Sequence, residues 1–251
     1  SDSAYHGLGS CYLNQARYEE AEAALKKAIK INPDNDGVHT ELGYCYNAQA
    51  RYNEAEALFK EAIEINPKSD SAYHGLGSCY LNQARYDEAE TMLKKAIEIN
   101  PKNSGAYTDL GHCYSAQARY AEAEMVVKQG IKLDPMNDSG YFELGFIYNR
   151  QGKYNEAEAL FKEAIKINPK SDSAYHGLGS CYLNQARYEE AEAALKKAIK
   201  INPDNDGVHT ELGYCYNAQA RYNEAEALFK EAIEINPKSD SAYHGLGSCY
   251  L

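Results

Sequence analysis

The sequence contains no tryptophan, three methionines, five phenylalanines and no long apolar stretch. A transmembrane helix needs about 20 consecutive apolar residues, and no segment here approaches that length. Secretion signals and lipidation motifs are also absent from these residues. We therefore expect no association with a membrane.

Basic residues are a minority, since 26 lysines and arginines stand against 37 aspartates and glutamates, for a formal charge of −11. No basic stripe interrupts this acidic background, and an acidic surface repels a phosphate backbone. We therefore expect no nucleic-acid partner. Charges of both signs alternate instead, as in EEAEAALKKAIK at 19–30, which is typical of a solvated helix face.

Paired cysteine motifs are missing as well, because the seven cysteines contain no CxxC spacing. Most of them recur at intervals of 34 residues, and Ile147 occupies the place where one is skipped. A position that takes either Cys or Ile indicates a small buried apolar slot rather than a disulfide or a zinc site. Free thiols in turn predict a reducing compartment, so we expect a cytoplasmic location.

Catalytic and metal-binding motifs are absent too: there is no GxSxG, P-loop, HExxH or dinucleotide fingerprint. Four of the seven histidines share one position of a repeating unit, but neighbouring units place them about 10 Å apart, too far to share one zinc ion. We therefore predict no enzymatic activity, no metal and no cofactor. The four are His6, His74, His176 and His244.

What the sequence does have is a period of 34 residues, marked by a proline in every unit. A longer repeat is superimposed on it, because residues 1–81 are identical to residues 171–251. Such an exact match points to a recent duplication or to deliberate assembly. The chain also starts without Met, so we expect a fragment or a processed protein. The units are 2–35, 36–69, 70–103, 104–137, 138–171, 172–205, 206–239 and a partial 240–251.

Each unit predicts two helices joined by a short turn. Apolar residues recur at spacings of three and four, first after the capping residue Ser1 and again from Tyr18 onward. The first helix is expected to end near residues 15–17, and the second to run to Ile31, where Asn32 and Pro33 stop it. Small residues such as Gly9 and Ala28 should let the two helices approach closely.

This unit resembles the tetratricopeptide repeat (TPR), whose pattern is W-x2-L-G-x2-Y, then A-x3-F, A and P. The resemblance implies an all-α fold, a right-handed α-solenoid superhelix of helix-turn-helix hairpins whose first helices line a concave groove. Tyr replaces the Trp of the pattern and Leu replaces its Phe. The matching residues in the first unit are Tyr5, Leu8, Gly9, Tyr12, Ala21, Leu25, Ala28 and Pro33.

The groove that the resemblance implies should bind a peptide or a partner segment through uncharged, hydrogen-bonding side chains. Phe142, Phe146 and Arg150 form the strongest candidate hot spot, because aromatic and arginine side chains often dominate interfaces. The basic residues of a carboxylate-clamp TPR and an asparagine ladder are both missing. The other candidates are His6, Ser10, Asn14, Thr40, Tyr44, Asn47, His74, Ser78, Asn82, Thr108, His112, His176, Ser180, Asn184, Thr210, Tyr214 and Asn217.

Three functions remain open at this point, one of which is the targeting arm of a larger enzyme. The first is a non-enzymatic scaffold that binds a protein or peptide in the groove. The alternative is a designed or recombined array whose role is structural, through head-to-tail self-association of its uncapped ends. The last helix should expose Tyr243, Leu246, Cys249 and Tyr250, and the chain stops at Leu251.

Overall fold

The computed structural model describes residues 1–250, and in that range the chain forms fifteen helices and no strand. The all-α prediction is therefore confirmed. Leu251, the predicted end of the last helix, lies outside the described residues. No helix in the described range is long and apolar enough to cross a membrane.

The helices form seven hairpins followed by a single helix. The first helices of the hairpins are α1 (Asp2–Leu13), α3 (Asp36–Ala48), α5 (Asp70–Asn82), α7 (Ser104–Ala116), α9 (Asp138–Arg150), α11 (Asp172–Asn184) and α13 (Asp206–Ala218). The second helices are α2 (Tyr18–Ile31), α4 (Tyr52–Ile65), α6 (Tyr86–Ile99), α8 (Tyr120–Leu133), α10 (Tyr154–Ile167), α12 (Tyr188–Ile201) and α14 (Tyr222–Ile235). The single helix is α15 (Asp240–Ser248).

The turn inside each hairpin contains one residue in the left-handed conformation. In the first hairpin this is Ala16, with φ of 55°, so α1 ends at Leu13, earlier than predicted. An alanine in this conformation costs about 1–2 kcal/mol. Gly152 occupies the same position in the fifth hairpin, with φ of 73°, and there the cost is absent.

The chain divides into two compact units, Ser1–Asp134 and Pro135–Leu251. Within each unit, every first helix contacts the first helix of the next hairpin. Second helices contact the following first helix, but within the described part of each unit they do not contact one another. The first helices therefore form one continuous surface in each unit, which we call the first-helix face.

Glycine and phenylalanine set the packing of adjacent hairpins. Phe59 is fully buried between Gly43 of its own hairpin and Gly75 of the next, and a Cβ at Gly43 would lie only 2.7 Å from its ring. In the first hairpin, Gly9 faces Leu25, and Ala28 is also fully buried. The larger second-helix residue, not the alanine, therefore determines where glycine is required.

The cysteines occupy the slot that the pattern predicted. In five internal hairpins the thiol is buried and donates to a tyrosine carbonyl of the preceding second helix, as from Cys79 to Tyr52 at 3.5 Å. Ile147 fills the same slot and is also fully buried. Cys11 is exposed and Cys249 is half-buried, so the slot is complete only between two hairpins.

The predicted solvated charges include one exception that links hairpins. Glu56 in α4 accepts a hydrogen bond from the Tyr80 hydroxyl (3.1 Å) and one from the Arg85 guanidinium (2.7 Å), both in the next hairpin. The guanidinium also stacks on the tyrosine ring, 4.1 Å from its centroid. The same three-residue link starts from Glu22, Glu90, Glu158 and Glu192.

Candidate functional site

The first-helix face carries carboxylates that pair with the predicted histidines and serines. Nε2 of His6 lies 3.2 Å from Oε1 of Glu41, and the Ser10 hydroxyl donates to Oε2 of the same glutamate at 2.5 Å. The expectation of an uncharged face was therefore wrong. The sequence did contain the signal, because Glu41 follows His6 by one repeat plus one residue, which places it on the adjacent helix.

The pairing of histidine with a carboxylate recurs twice more, once in each unit. Nε2 of His74 lies 3.1 Å from Asp109, which also accepts from the Ser78 hydroxyl. In the second unit, His176 lies 3.3 Å from Glu211. Burial acts to lower the pKa of His176, but the hydrogen bond and charge of Glu211 outweigh it, so the pKa is raised.

Two tyrosines on this face tether neighbouring first helices. The Tyr44 hydroxyl donates to the carbonyl of Ser71 at 2.9 Å, and its ring packs edge-on against Phe59 at 5.2 Å. Burial, reinforced by the carboxylates of Asp109 and Asp70, raises the pKa of Tyr44. Tyr214 makes the same contacts with Ser241 and Phe229 in the second unit.

The predicted threonines lie beneath the face rather than on it. Thr40 is 3% exposed, and its hydroxyl donates to the Asp36 carbonyl one turn earlier in the same helix, at 2.8 Å. Thr108 and Thr210 are buried in the same way. These three residues offer no accessible group to a ligand.

The predicted asparagines pair with one another across the face. Asn82 donates to Asn47 at 3.2 Å, and Asn184 donates to Asn149 at 3.1 Å. Asn217 donates to the Ser248 hydroxyl at 2.9 Å. Asn14 and His112 are exposed, Asn14 just beyond the end of α1 and His112 within α7.

The candidate hot spot forms a pocket in the second unit. Phe142 and Phe146 of α9 line a cavity of about 160 Å³ together with residues of α11 and α13. The Phe142 ring rests 6.0 Å from that of Phe161, and the exposed Arg150 lies over Phe146 at 5.2 Å. The remaining lining residues are Asn149, Ser173, His176, Gly177, Ser180 and Glu211.

The pocket combines an apolar wall with a polar one. The phenylalanines can contact an apolar side chain, whereas Glu211 and Asn149 can accept hydrogen bonds from a ligand's donors. Among the described residues, no group of three or more histidine, cysteine or acidic side chains converges on a point where a metal ion could bind. The arrangement is suited to binding a side chain at a shallow surface.

The sequence matches the family described as "Cilia and flagella-associated protein 70 C-terminal domain" over residues 2–201 and again over 101–251. No curated protein matches the sequence significantly. Among solved structures, a chain in the APC/C hetero-tetramer Cut9-Hcn1 is similar with a TM-score of 0.86 at 17% identity. The match covers 97% of this chain but 48% of that one, so this chain spans about half its length.

Two further structures share the fold. A tetratricopeptide repeat protein from Parabacteroides merdae ATCC 43184 has a TM-score of 0.75 at 18% identity, covering 100% of this chain and 99% of its own. YrrB, described as a TPR protein with an unusual peptide-binding site, has a TM-score of 0.50 at 24% identity, covering 74% of this chain and 95% of its own. At these identities the likeness extends to the fold alone.

Proposed function

Because this chain belongs to the tetratricopeptide repeat family whose model is described as "Cilia and flagella-associated protein 70 C-terminal domain", we propose that it is a non-enzymatic scaffold for protein–protein interaction. The fold is one that typically serves this purpose, since stacked hairpins present a long surface to an extended ligand. The proposed ligand is a peptide or partner segment that binds along the first-helix face.

The observation that supports this proposal is the pocket beside Phe142 and Phe146. It lies on the first-helix face, and its walls come from three successive first helices, so a ligand there would contact several hairpins at once. We propose that it receives one apolar or aromatic side chain of the partner. A neighbouring donor group of the partner would bind the carboxylate of Glu211.

Phe146 distinguishes α9 from the other first helices that carry an aromatic residue at this position. Where α9 has Phe146, the equivalent residues of α3 and α13 are Tyr44 and Tyr214, whose hydroxyls are already bonded to a neighbouring carbonyl. Phe146 has no such hydroxyl and leaves its ring beside the cavity. The proposed anchor point is therefore in the second unit, with the remainder of the first-helix face extending the contact.

The test is selection of a displayed random-peptide library against the 251-residue chain, followed by affinity measurement for the peptides recovered. We expect the double variant Phe142→Ala with Phe146→Ala to weaken their binding at least tenfold, which corresponds to about 1.4 kcal/mol. The matched control is Met125→Ala, which removes an apolar side chain that is 66% exposed on α8 and does not line the pocket. Equal binding by the double variant and the control would refute the proposed site.

We also propose a reducing, cytoplasmic compartment for the protein. All seven cysteines are free thiols in the structure, and five of them serve as small buried core residues. Fractionation of cells that express the tagged chain, with mass spectrometry of its thiols, tests this proposal.

A further inference from the structure

Negative charge is concentrated on the first helices of the hairpins. Together with α15 they contain eleven acidic residues and a single basic one, Arg150, whereas the rest of the chain contains 26 acidic and 25 basic residues. These helices therefore carry ten of the eleven net negative charges of the sequence. A partner that binds along the first-helix face meets an acidic surface, which favours positive charge in the partner.

Most of these carboxylates have a structural place within the chain. Seven of them begin a helix, as Asp172 does in α11, where it accepts from the Asn202 amide at 2.9 Å. Glu143 is only 3% exposed. Three others lie in the middle of the first-helix face, and each faces a histidine of the preceding first helix. These three are Glu41, Asp109 and Glu211.

The three carboxylates differ in the hydrogen bonds that they already accept. Glu41 accepts from the Ser10 hydroxyl at 2.5 Å, and Asp109 accepts from the equivalent serine beside it. Ser180 stands at the same repeat position beside Glu211 and lines the pocket, but no hydrogen bond joins the two residues in the described chain. Glu211 therefore keeps acceptor capacity that the other two carboxylates have used, and it is the one of the three that lines this pocket.

His176 is the group within the chain that Glu211 faces. Its Nε2 lies 3.3 Å from Oε2 of Glu211 and both atoms are buried, although 32% of the glutamate side chain is exposed. A Cβ at Gly207, in the first turn of α13, would lie 3.7 Å from Cε1 of the imidazole, so the ring is held between α11 and α13. Burial acts to lower the pKa of His176, but Glu211 and, more weakly, Asp172 of the same helix raise it. The α9 residues that line the pocket carry no charge.

A protonated His176 and a cationic group of a ligand compete for the same carboxylate. While the imidazole is neutral, Glu211 presents a full negative charge beside the apolar wall of the pocket, and a lysine or arginine side chain can form a charge-assisted hydrogen bond with it. When the imidazole is protonated, it neutralises that charge and weakens the attraction for a second cation. A cationic ligand should therefore bind more tightly above the pKa of His176 than below it, whereas a neutral donor should respond less.

We propose that the pocket recognises a basic peptide segment, in which a lysine or arginine binds Glu211 while an adjacent apolar side chain contacts Phe142 and Phe146. This inference rests on the proposed function of the pocket and specifies the chemistry of its ligand. The Ser180 hydroxyl can accept a further hydrogen bond from the same cation. Arg150 does not line the pocket and lies over the Phe146 ring, 5.2 Å from its centroid, so the pocket wall itself holds no competing lysine or arginine.

The test uses peptides selected from a displayed random library against the full 251-residue chain. Their affinities are measured at pH about 8 and about 5.5, on either side of the usual histidine pKa of about 6.5. Glu211→Gln keeps the size of the side chain and removes its charge, and His176→Gln removes the competing imidazole. The matched control is Glu163→Gln, which makes the same change of charge at an exposed glutamate of α10 that pairs with Lys166. Circular dichroism shows that each variant is folded.

We expect the recovered peptides to be enriched in lysine or arginine beside an apolar residue, and Glu211→Gln to weaken their binding at least about tenfold relative to Glu163→Gln. Binding to the unaltered chain should weaken at the lower pH, and His176→Gln should remove most of that dependence.

Peptides that require Phe142 and Phe146 but show no preference for lysine or arginine, or that bind Glu211→Gln as tightly as the control, would overturn this inference and leave the proposed docking site intact. Peptides whose binding does not require the two phenylalanines, or a selection that recovers no peptide, would overturn the proposed function and this inference with it.

Discussion

Replacing Gly177 by alanine tests whether hairpin junctions are governed by the fit between glycine and phenylalanine. A Cβ at Gly177 would lie 2.5 Å from Cε1 of Phe161, well inside the 3.4 Å at which ordinary contact begins. Phe161 is fully buried, so its ring has little room to move away. The substitution therefore sets a helix-propensity gain against a steric loss.

The two effects have comparable size and opposite sign. Alanine is favoured over glycine in a helix by about 1 kcal/mol. Overpacking a close-packed core costs about 1–3 kcal/mol. We expect a net loss of up to about 2 kcal/mol in the free energy of unfolding for Gly177→Ala.

Denaturant unfolding monitored by circular dichroism measures the loss, and hydrogen exchange in α10 and α11 localises it. The matched control is Gly7→Ala, at the same repeat position but facing open space, which should gain up to about 1 kcal/mol at dilute concentration. Phe161→Leu should cost about 1 kcal/mol alone and much less beside Gly177→Ala. The size-matching argument fails if Gly177→Ala stabilises as much as the control, or if the two substitutions are simply additive.

Three further outcomes follow from other parts of the structure. Ala84→Gly removes the cost of a left-handed alanine and should raise the free energy of unfolding by about 1 kcal/mol, whereas Gly152→Ala should lower it by a similar amount. Denaturant titrations in which Ala84→Gly destabilises or Gly152→Ala stabilises would contradict this. In a thiol-labelling time course on the native protein, the exposed Cys11 should react first, so Cys11→Ser should remove the fastest phase. Burial raises the pKa of the internal thiols and slows their reaction with the label. The hydrogen bond from Arg187 holds the pKa of Glu158 at about 2, below its usual 4.5, so its contribution to stability is complete above pH 4.5 and is lost as the pH falls toward 2. Glu158→Gln should flatten the unfolding midpoint across that pH window, and an unchanged acid profile would exclude this link as its cause.

The sequence period was sufficient to predict the hairpins and the family. Ser1 caps α1, and α2 spans Tyr18–Ile31 as predicted, because capping residues and proline act locally and recur in every unit. The TPR resemblance is confirmed by the family match. The early end of α1 was missed because Ala16 adopts a left-handed conformation that sequence rules assign to glycine. Gly152 occupies the equivalent turn of the fifth hairpin, and this glycine was the sequence signal for a left-handed residue there.

The candidate site was harder to predict because its properties depend on contacts between hairpins. Helical spacing alone placed Thr40 on the same face as His6, but the shorter threonine side chain is buried beneath the face, where it bonds to the Asp36 carbonyl. Glu41 was overlooked because its partners lie in the preceding 34-residue repeat. The cluster of Phe142 and Phe146 was identifiable as the one departure from a regular pattern, and the structure places both beside the same cavity.

Each second-helix phenylalanine is followed 16 residues later by a glycine of the next first helix, whereas a leucine or valine at the same position is followed by an acidic residue. This pairing couples the interior of the array to the chemistry of its surface. A phenylalanine ring in the core of one hairpin leaves room only for glycine at the contacting position of the next hairpin. Where the core residue is leucine or valine, that position carries an acidic residue. The positions of these acidic residues along the first helices therefore depend on which core residues lie behind them. A mutation from leucine to phenylalanine in the core would therefore need a second mutation, which replaces the carboxylate in the next hairpin by glycine, so interior packing and surface charge are coupled.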